Sequence, residues 1–219
     1  MRVGVLADLH ANLVALEAVL DDLPPVDALV CAGDVIGYNP WPGACIDAMR
    51  DRAVPTVMGN HDRMLVTGRN FRGNHMARAG VEHAEQTVTD AQRTWLVRLP
   101  DTRELFDGRV RVVHGHPDDP NRYTYPESFS SALLDGEAAL VMGHTHVQSH
   151  DVFDEGIVLN PGSVGQPRDG DPRAAYAILD LAARQVEERR VAYDIERVQA
   201  AIDEAGLPER TGTRLEQGR

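Results

Sequence analysis

The chain contains no lysine: all 22 basic residues are arginine, set against 34 acidic residues for a formal net charge of -12. That balance argues against a protein that holds nucleic acid stably through a broad basic surface, because such binding rests on neutralising many phosphates. An anionic substrate would instead need local positive charge, such as metal ions. Aromatic residues make up only 5% of the 219 positions, yet 42% are apolar, enough for one sizeable core. We expect a single domain over residues 1–207 and a frayed tail over 208–219. Cysteine is also scarce. Cys31 and Cys45 make neither a disulfide framework nor a metal-binding pair and read as reduced thiols. No apolar run approaches the length of a membrane span. Met1 to Ala7 reads directly as a strand, without a charged, apolar and cleavable leader, so the expected location is the cytoplasm, with no membrane partner.

What the sequence does have is a series of short runs rich in Val, Leu and Ile, at Val3–Ala7, Ala28–Ala32, Thr56–Met58, Val110–Val113 and Ala138–Met142. Segments with helical spacing lie between several of them, notably Asn12–Leu20, Ala44–Arg50 and Ala91–Leu99, so the first half reads as β-α-β-α-β. Each run ends in Asp, Asn, His or Gly, and in open α/β sheets the carboxyl ends of strands form the usual ligand crevice. Val147–Phe153, Gly156–Leu159, Ala174–Leu179 and Gln185–Ala192 alternate more and predict antiparallel strands of a second sheet, with Asp194–Glu204 as a closing helix. In Thr67–Glu85, Gly, Asn and His interrupt helix-like pieces, which suits a lid or a long connection.

The chemistry concentrates at the ends of the runs. In Asp8-Leu9-His10, residues two apart on an extended turn point to the same side and can reach one cation. Taken alone, the same piece is a helix-capping Asp beside an exposed His. Gly33-Asp34 closes the second run, and a carboxylate with two oxygens can bridge two metals; in isolation Asp34 is an ordinary turn aspartate. Gly59-Asn60-His61-Asp62 offers a neutral Asn oxygen as a ligand and an imidazole that can face a substrate as an acid or an electrostatic clamp. His114-Gly115-His116 and Gly143-His144-Thr145-His146 follow the last two runs. Five separate strand ends thus offer seven oxygen and nitrogen donors: Asp8, His10, Asp34, Asn60, His114, His144 and His146. A set without thiolate suits Mn²⁺ first, with Fe, Zn²⁺, Ni²⁺ or Mg²⁺ as further candidates. Two such ions about 3.5–4 Å apart can grip both the attacking and the leaving oxygen of a phosphoryl transfer.

In order, the motifs DLH, GDVIG, GNHD, HGH and GHTH resemble those of the calcineurin-like metallophosphoesterases, over Val3 to about Gly165. NPGSVGQPRDGDPRAAYAILD is similar to a signature of the small prokaryotic phosphodiesterases within that superfamily. The resemblance implies an α/β fold, a four-layer α-β-β-α sandwich with two mixed sheets. Carried over by position, it puts Asp8, His10 and His146 on a first metal, Asp34 between both, and Asn60, His114 and His144 on a second. His61 matches the histidine that protonates the leaving oxygen. The implied reaction is hydrolysis of a phosphodiester or phosphomonoester through a metal-bridging hydroxide. The implied partner is a small phosphate ester, and the analogy extends to a homodimer.

One departure stands out: the chain reads GDVIGYN where the protein phosphatases of the superfamily read GDxxxRG, so their phosphate-holding Arg is missing. Arg168 or Tyr38 can take up substrate contact, alongside Asn60. For Arg168 a salt bridge to Asp169 or Asp171 is an equal alternative. Asp62 reads as a helix cap or a support for His61. His75, His83, His116 and His150 read as structural or exposed, and Arg122, Tyr123 and Tyr125 as a pocket wall or a loop packed on the core. Two competing functions are a non-catalytic scaffold, which tends to lose His61 or a ligand, and a nuclease, which usually carries added domains. The all-arginine, acidic composition fits a GC-rich genome, a salt-loving host, or both. For a salt-loving host, the melting temperature should rise with added KCl as self-repulsion is screened; a fall at high salt would count against that origin.

Overall fold

In a computed structural model, which describes residues 1–68 and 74–219, two mixed β-sheets pack face to face. The first sheet has the order β2-β1-β8-β9, from β1 (Arg2–Leu6), β2 (Ala28–Cys31), β8 (Ala174–Asp180) and β9 (Gln185–Val191). The second has the order β3-β4-β5-β7-β6, from β3 (Thr102–Leu105), β4 (Val110–Val113), β5 (Ala139–Val141), β6 (Gln148–Val152) and β7 (Ile157–Pro161). β1 runs parallel to β2, β4 to β5 and β5 to β7; the β1–β8, β8–β9, β3–β4 and β6–β7 pairings are antiparallel.

Alternation along the strands explains the layering. Val3, Val5 and Ala7 turn toward Val110, Val112, Ala139, Val141, Ile157 and Leu159 of the opposite sheet, and Ala177 and Leu179 join them. Leu6, Tyr176 and Ile178 turn the other way, under α1 (Leu13–Asp22) and α2 (Pro42–Asp51). α3 (Asn60–Thr67), α4 (His75–Thr87) and α5 (Asp90–Val97) extend the same helical layer. On the outer face of the second sheet, Val113, Leu140, Met142 and Val158 are covered by Phe129, Leu133 and Leu134 from two short 3-10 turns, so the fourth layer is thin here.

Three sequence expectations need correction. Thr56–Met58 makes no strand, only a single parallel bridge between Cys31 and Thr56, because the segment turns at once into α3. The late antiparallel segments do not share a sheet: β6 and β7 extend the second sheet, whereas β8 and β9 complete the first through the β1–β8 pairing. The tail from Pro208 is not frayed. It forms α7 (Glu209–Thr213) and a 3-10 turn whose Leu215 is buried with Val198 and Ile202 of α6 (Ile195–Glu204) and with Leu207. Of the Thr67–Glu85 stretch, residues 75–85 belong to α4, while 69–73 lie outside the described residues. No helix among the described residues is long and apolar enough to cross a membrane.

Leu16 of α1 is fully buried against the first sheet. Leu16→Ala should cost about 3 kcal/mol and lower the melting temperature by roughly 6–12 °C, measured by calorimetry.

Candidate metal centre

The carboxyl ends of parallel strands from both sheets meet at one rim. Asp8 follows β1, Asp34 follows β2, His114 follows β4, and His144 and His146 follow β5, while Asn60 and His61 open α3. Four of these residues, together with His10, sit on left-handed backbone: Asp8 (φ 53°), His10 (46°), Asp34 (53°), His144 (69°) and His146 (61°). Such conformations cost roughly 1–3 kcal/mol each outside glycine and persist only where the surroundings over-determine them. Here the loops brace one another. His10 N–H donates to the Asp34 carbonyl at 2.9 Å, and the His144 amide donates to the Asp8 carboxylate at 3.0 Å, tying the second sheet to the first. His61 N–H donates to Asp34 Oδ1 at 2.8 Å, an approach that a Cβ on Gly59 would block by overlapping the same carboxylate.

The imidazoles are aimed from behind. Nδ1 of His10 donates to the Ile36 carbonyl (3.2 Å), that of His114 to the Ala32 carbonyl (2.7 Å) and that of His146 to the Gln166 carbonyl (2.6 Å). A carbonyl only accepts, so the ring proton of a neutral imidazole is committed to Nδ1 and the Nε2 lone pair faces inward. Burial holds both His10 and His146 well below the usual histidine pKa, so both rings are neutral. Their Nε2 atoms nevertheless lie 3.0 Å apart. Two facing lone pairs at that distance repel unless a cation lies between or beside them. His144 donates through Nε2 to the Asn121 carbonyl at 3.2 Å, which leaves Nδ1 as its lone pair.

The donors fall into two triads: Asp8, His10 and His146, and Asp34, His114 and His144, with donor atoms in each within 4.8 Å of one another. His10, Asp34 and His61 form a third, overlapping grouping. Asn60 Oδ1 lies 3.0 Å from His114 Nε2, beside the second triad. Asp34 Oδ2 reaches 3.6 Å from His10 Nε2 and 3.4 Å from His114 Nε2, a position between the two. The protonation pattern follows from enclosure. Burial lifts Asp8 to about 7. Burial also opposes charge on His114, but Asp34 and Asp8 outweigh it and raise that ring to about 9. Burial likewise opposes ionisation of Asp34, yet His114, His61 and His10 hold its carboxyl well below the usual range. Burial pushes His144 down to about 3, assisted by the His114 charge. The donor set thus fits a divalent ion: neutral nitrogens facing inward, and protons on Asp8 and His114 that a cation would displace.

Beside the donors opens a cleft of about 480 Å³ lined by Tyr38, Asn60, His61, Met64, Asn74, Ala77, Asn121, Tyr123, His144 and Arg168. Arg168 makes neither of the salt bridges weighed from sequence: among the described residues Asp169 pairs with Arg190 and Asp171 with Arg173. Instead its guanidinium donates to Tyr38 Oη (3.1 Å) and Gln166 Oε1 (2.8 Å) and lies over the Tyr38 ring. Tyr38 is held by α4, where a Cβ on Gly80 would overlap its backbone nitrogen. Tyr123 stacks on His144 with ring centroids 4.0 Å apart, so this loop is a cleft wall. Asp62 caps α3 and clamps two loops, accepting from Gly59 N–H (3.0 Å), Ile36 N–H (3.1 Å) and Val35 N–H (3.3 Å).

Sequence reasoning missed the residues that hold the ligand loops. Ser163 Oγ donates to the Asp8 carbonyl (2.7 Å), Asn160 Nδ2 to the Gly143 carbonyl (2.7 Å), and Asn39 Nδ2 to the His10 carbonyl (2.9 Å). For the first two the available signal was the NPGSVGQPRDG stretch, whose polar residues sit where strand β7 needs none. His83 contacts the Pro40 carbonyl, His150 pairs with Glu188, and His116 faces Arg122 and Asp118; none of the three joins a ligating group among the described residues.

Residues 1–184 match the family model of the calcineurin-like phosphoesterase superfamily domain. The chain is 36% identical to a metallophosphoesterase from Sphaerobacter thermophilus of known crystal structure, with a TM-score of 0.86 and full coverage of both chains. It is 30% identical to the uncharacterized protein MJ0912 of Methanocaldococcus jannaschii, over 99% of this chain and 98% of that protein. It is also 26% identical to the phosphodiesterase YfcE of Escherichia coli, over 82% of this chain and 88% of that protein.

Asp8 and His114 both hold protons in the folded, metal-free site at higher pH than in the unfolded chain, so their contribution to stability is complete at low pH and is lost as pH rises through about 7 and about 9 respectively. The Asp8 contribution is gone by about pH 7, so the chelator-treated protein should lose melting temperature between about pH 6.5 and 9, the window of His114. Manganese should abolish that decline. A flat profile without metal would refute the proton pattern.

Proposed function

Because the chain belongs to the calcineurin-like phosphoesterase superfamily, we propose that it hydrolyses a phosphodiester, in preference to a monoester, with two divalent cations. Asp8, His10 and His146 would hold one cation, Asn60, His114 and His144 the other, with Asp34 shared. The observation that carries this reading is the pair of inward lone pairs on His10 and His146, 3.0 Å apart, with both Nδ1 atoms already committed to carbonyls. When bound, the cations supply acidification of water and neutralisation of phosphoryl oxygens. Nitrogen and oxygen donors without thiolate favour Mn²⁺, with Fe or Zn²⁺ next.

The chain's own side chains divide the remaining work. Arg168, free of carboxylates among the described residues and anchored only by Tyr38 and Gln166, offers its guanidinium to a non-bridging phosphate oxygen. Tyr38 orients that guanidinium and narrows the cleft. His61 is almost fully buried; among the described residues its Nδ1 has no hydrogen-bond partner, and its Nε2 lies 4.0 Å from Asp34 Oδ2. Burial, with Arg168 and His114, keeps that ring below the ordinary histidine value, so it is neutral at rest and acts as charge develops on the leaving oxygen. The presence of His61 and of every donor favours an enzyme over a scaffold of the same fold.

Asp34→Ala or His144→Ala should lose bound manganese by elemental analysis and abolish turnover. His61→Ala should keep its metal and lose about 10²–10⁴-fold in kcat toward alkyl diesters, but much less toward p-nitrophenyl esters. Equal losses on both substrate types would remove the acid role, and loss of metal would reassign His61 as a ligand.

A further inference from the structure

The C-terminal segment docks on the loop that carries Arg168. Gly170 N–H donates to the Gly218 carbonyl at 3.0 Å, and a Cβ on Gly218 would meet the Asp171 backbone at 2.7 Å, so the two segments are in van der Waals contact. This docking brings α7 beside the cleft. A second concavity of about 510 Å³, lined in part by Arg210, Arg214 and Arg219, shares Asn74 with the wall of the cleft beside the metal donors. Arg210 and Arg214 are four residues apart and lie on one face of the segment. Among the described residues neither has a carboxylate within ion-pair distance, and nor does Arg168. The nearby acid Glu216 is turned away to Gln199. Burial, with the charges of Arg168 and Arg210, pushes Arg214 below the ordinary arginine value, as expected of cations gathered on one side.

In a chain with 34 acidic residues, three guanidiniums without a carboxylate partner among the described residues line two concavities that share Asn74, an arrangement that favours an anion between them. We infer that Arg210 and Arg214 form a second phosphate subsite next to the catalytic cleft, so that the preferred substrate is an ester carrying a further phosphate group beyond the scissile one. The inference rests on the phosphoesterase reading above and names its substrate class. Arg168 faces the scissile phosphate; the two arginines of α7 take the distal one, bidentate geometry suiting each to phosphate oxygens.

The test compares two dinucleotides with the same scissile diester, ApA and its 5′-phosphorylated form pApA. The full-length, manganese-loaded chain is titrated with each in a calorimeter, which reads turnover where hydrolysis occurs and binding where it does not. pApA should be preferred at least tenfold in kcat/KM or in affinity. Arg210→Gln/Arg214→Gln should bring the ratio to about one while leaving the melting temperature and the hydrolysis of bis(p-nitrophenyl) phosphate unchanged. A ratio near one in the wild type, a preference that survives the double substitution, or no interaction with either dinucleotide overturns the subsite. Should no ester be hydrolysed while pApA still binds more tightly than ApA through these arginines, the phosphoesterase reading falls and the anion subsite stands.

Discussion

Three imidazole-to-carbonyl hydrogen bonds are the constraint on which the rest of the site depends. By taking the Nδ1 protons of His10, His114 and His146, the carbonyls of Ile36, Ala32 and Gln166 fix both tautomer and ring direction. Each of these carbonyls belongs to a different loop from the histidine it holds. Aiming the ligands and holding the loops together are therefore one interaction, and a shift of any loop misdirects a lone pair belonging to another. The left-handed residues are explained in the same terms. Asp8, Asp34 and His144 adopt a costly backbone because the crossed amide and carboxylate bonds leave no relaxed alternative.

Much of this was legible in the sequence, for a physical reason. Candidate metal donors at strand ends are local features: Asp8-Leu9-His10 or His144-Thr145-His146 presents its chemistry within three residues, and the strand before it is a short run of Val, Leu and Ile. The two mixed sheets followed from the family likeness. Assignment of the late hairpins to sheets was not legible, because β7 and β8 carry much the same apolar patterning while one pairs with β5 and the other with β1. Such pairings are decided by which edge is free in three dimensions. The third run failed as a strand because Thr56–Met58 must deliver Asn60 and His61 to the rim at the start of a helix, leaving room for only one bridge.

The tail shows another limit. Residues 208–219 have little periodicity and end in polar residues, yet Leu207 and Leu215 find a ready apolar surface on α6 and α1. Tertiary context supplies what local pattern lacks. The same docking places α7 against the Arg168 loop, so a segment that reads as dispensable carries the arginines of the proposed second subsite.

The position of β1 has a consequence for synthesis. Its antiparallel neighbour is β8, which begins at residue 174, whereas its parallel neighbour β2 begins at residue 28. As the chain leaves the ribosome, the first strand is made with one flank unpaired and keeps that raw edge until most of the protein has followed. The ligand loops after β1 and β2 emerge early, but the cage closes only after β4 and β5 have arrived. Assembly of the donor cluster is therefore a late latch on a nearly finished chain, and early-terminated products would expose a sticky strand with nothing to cover it.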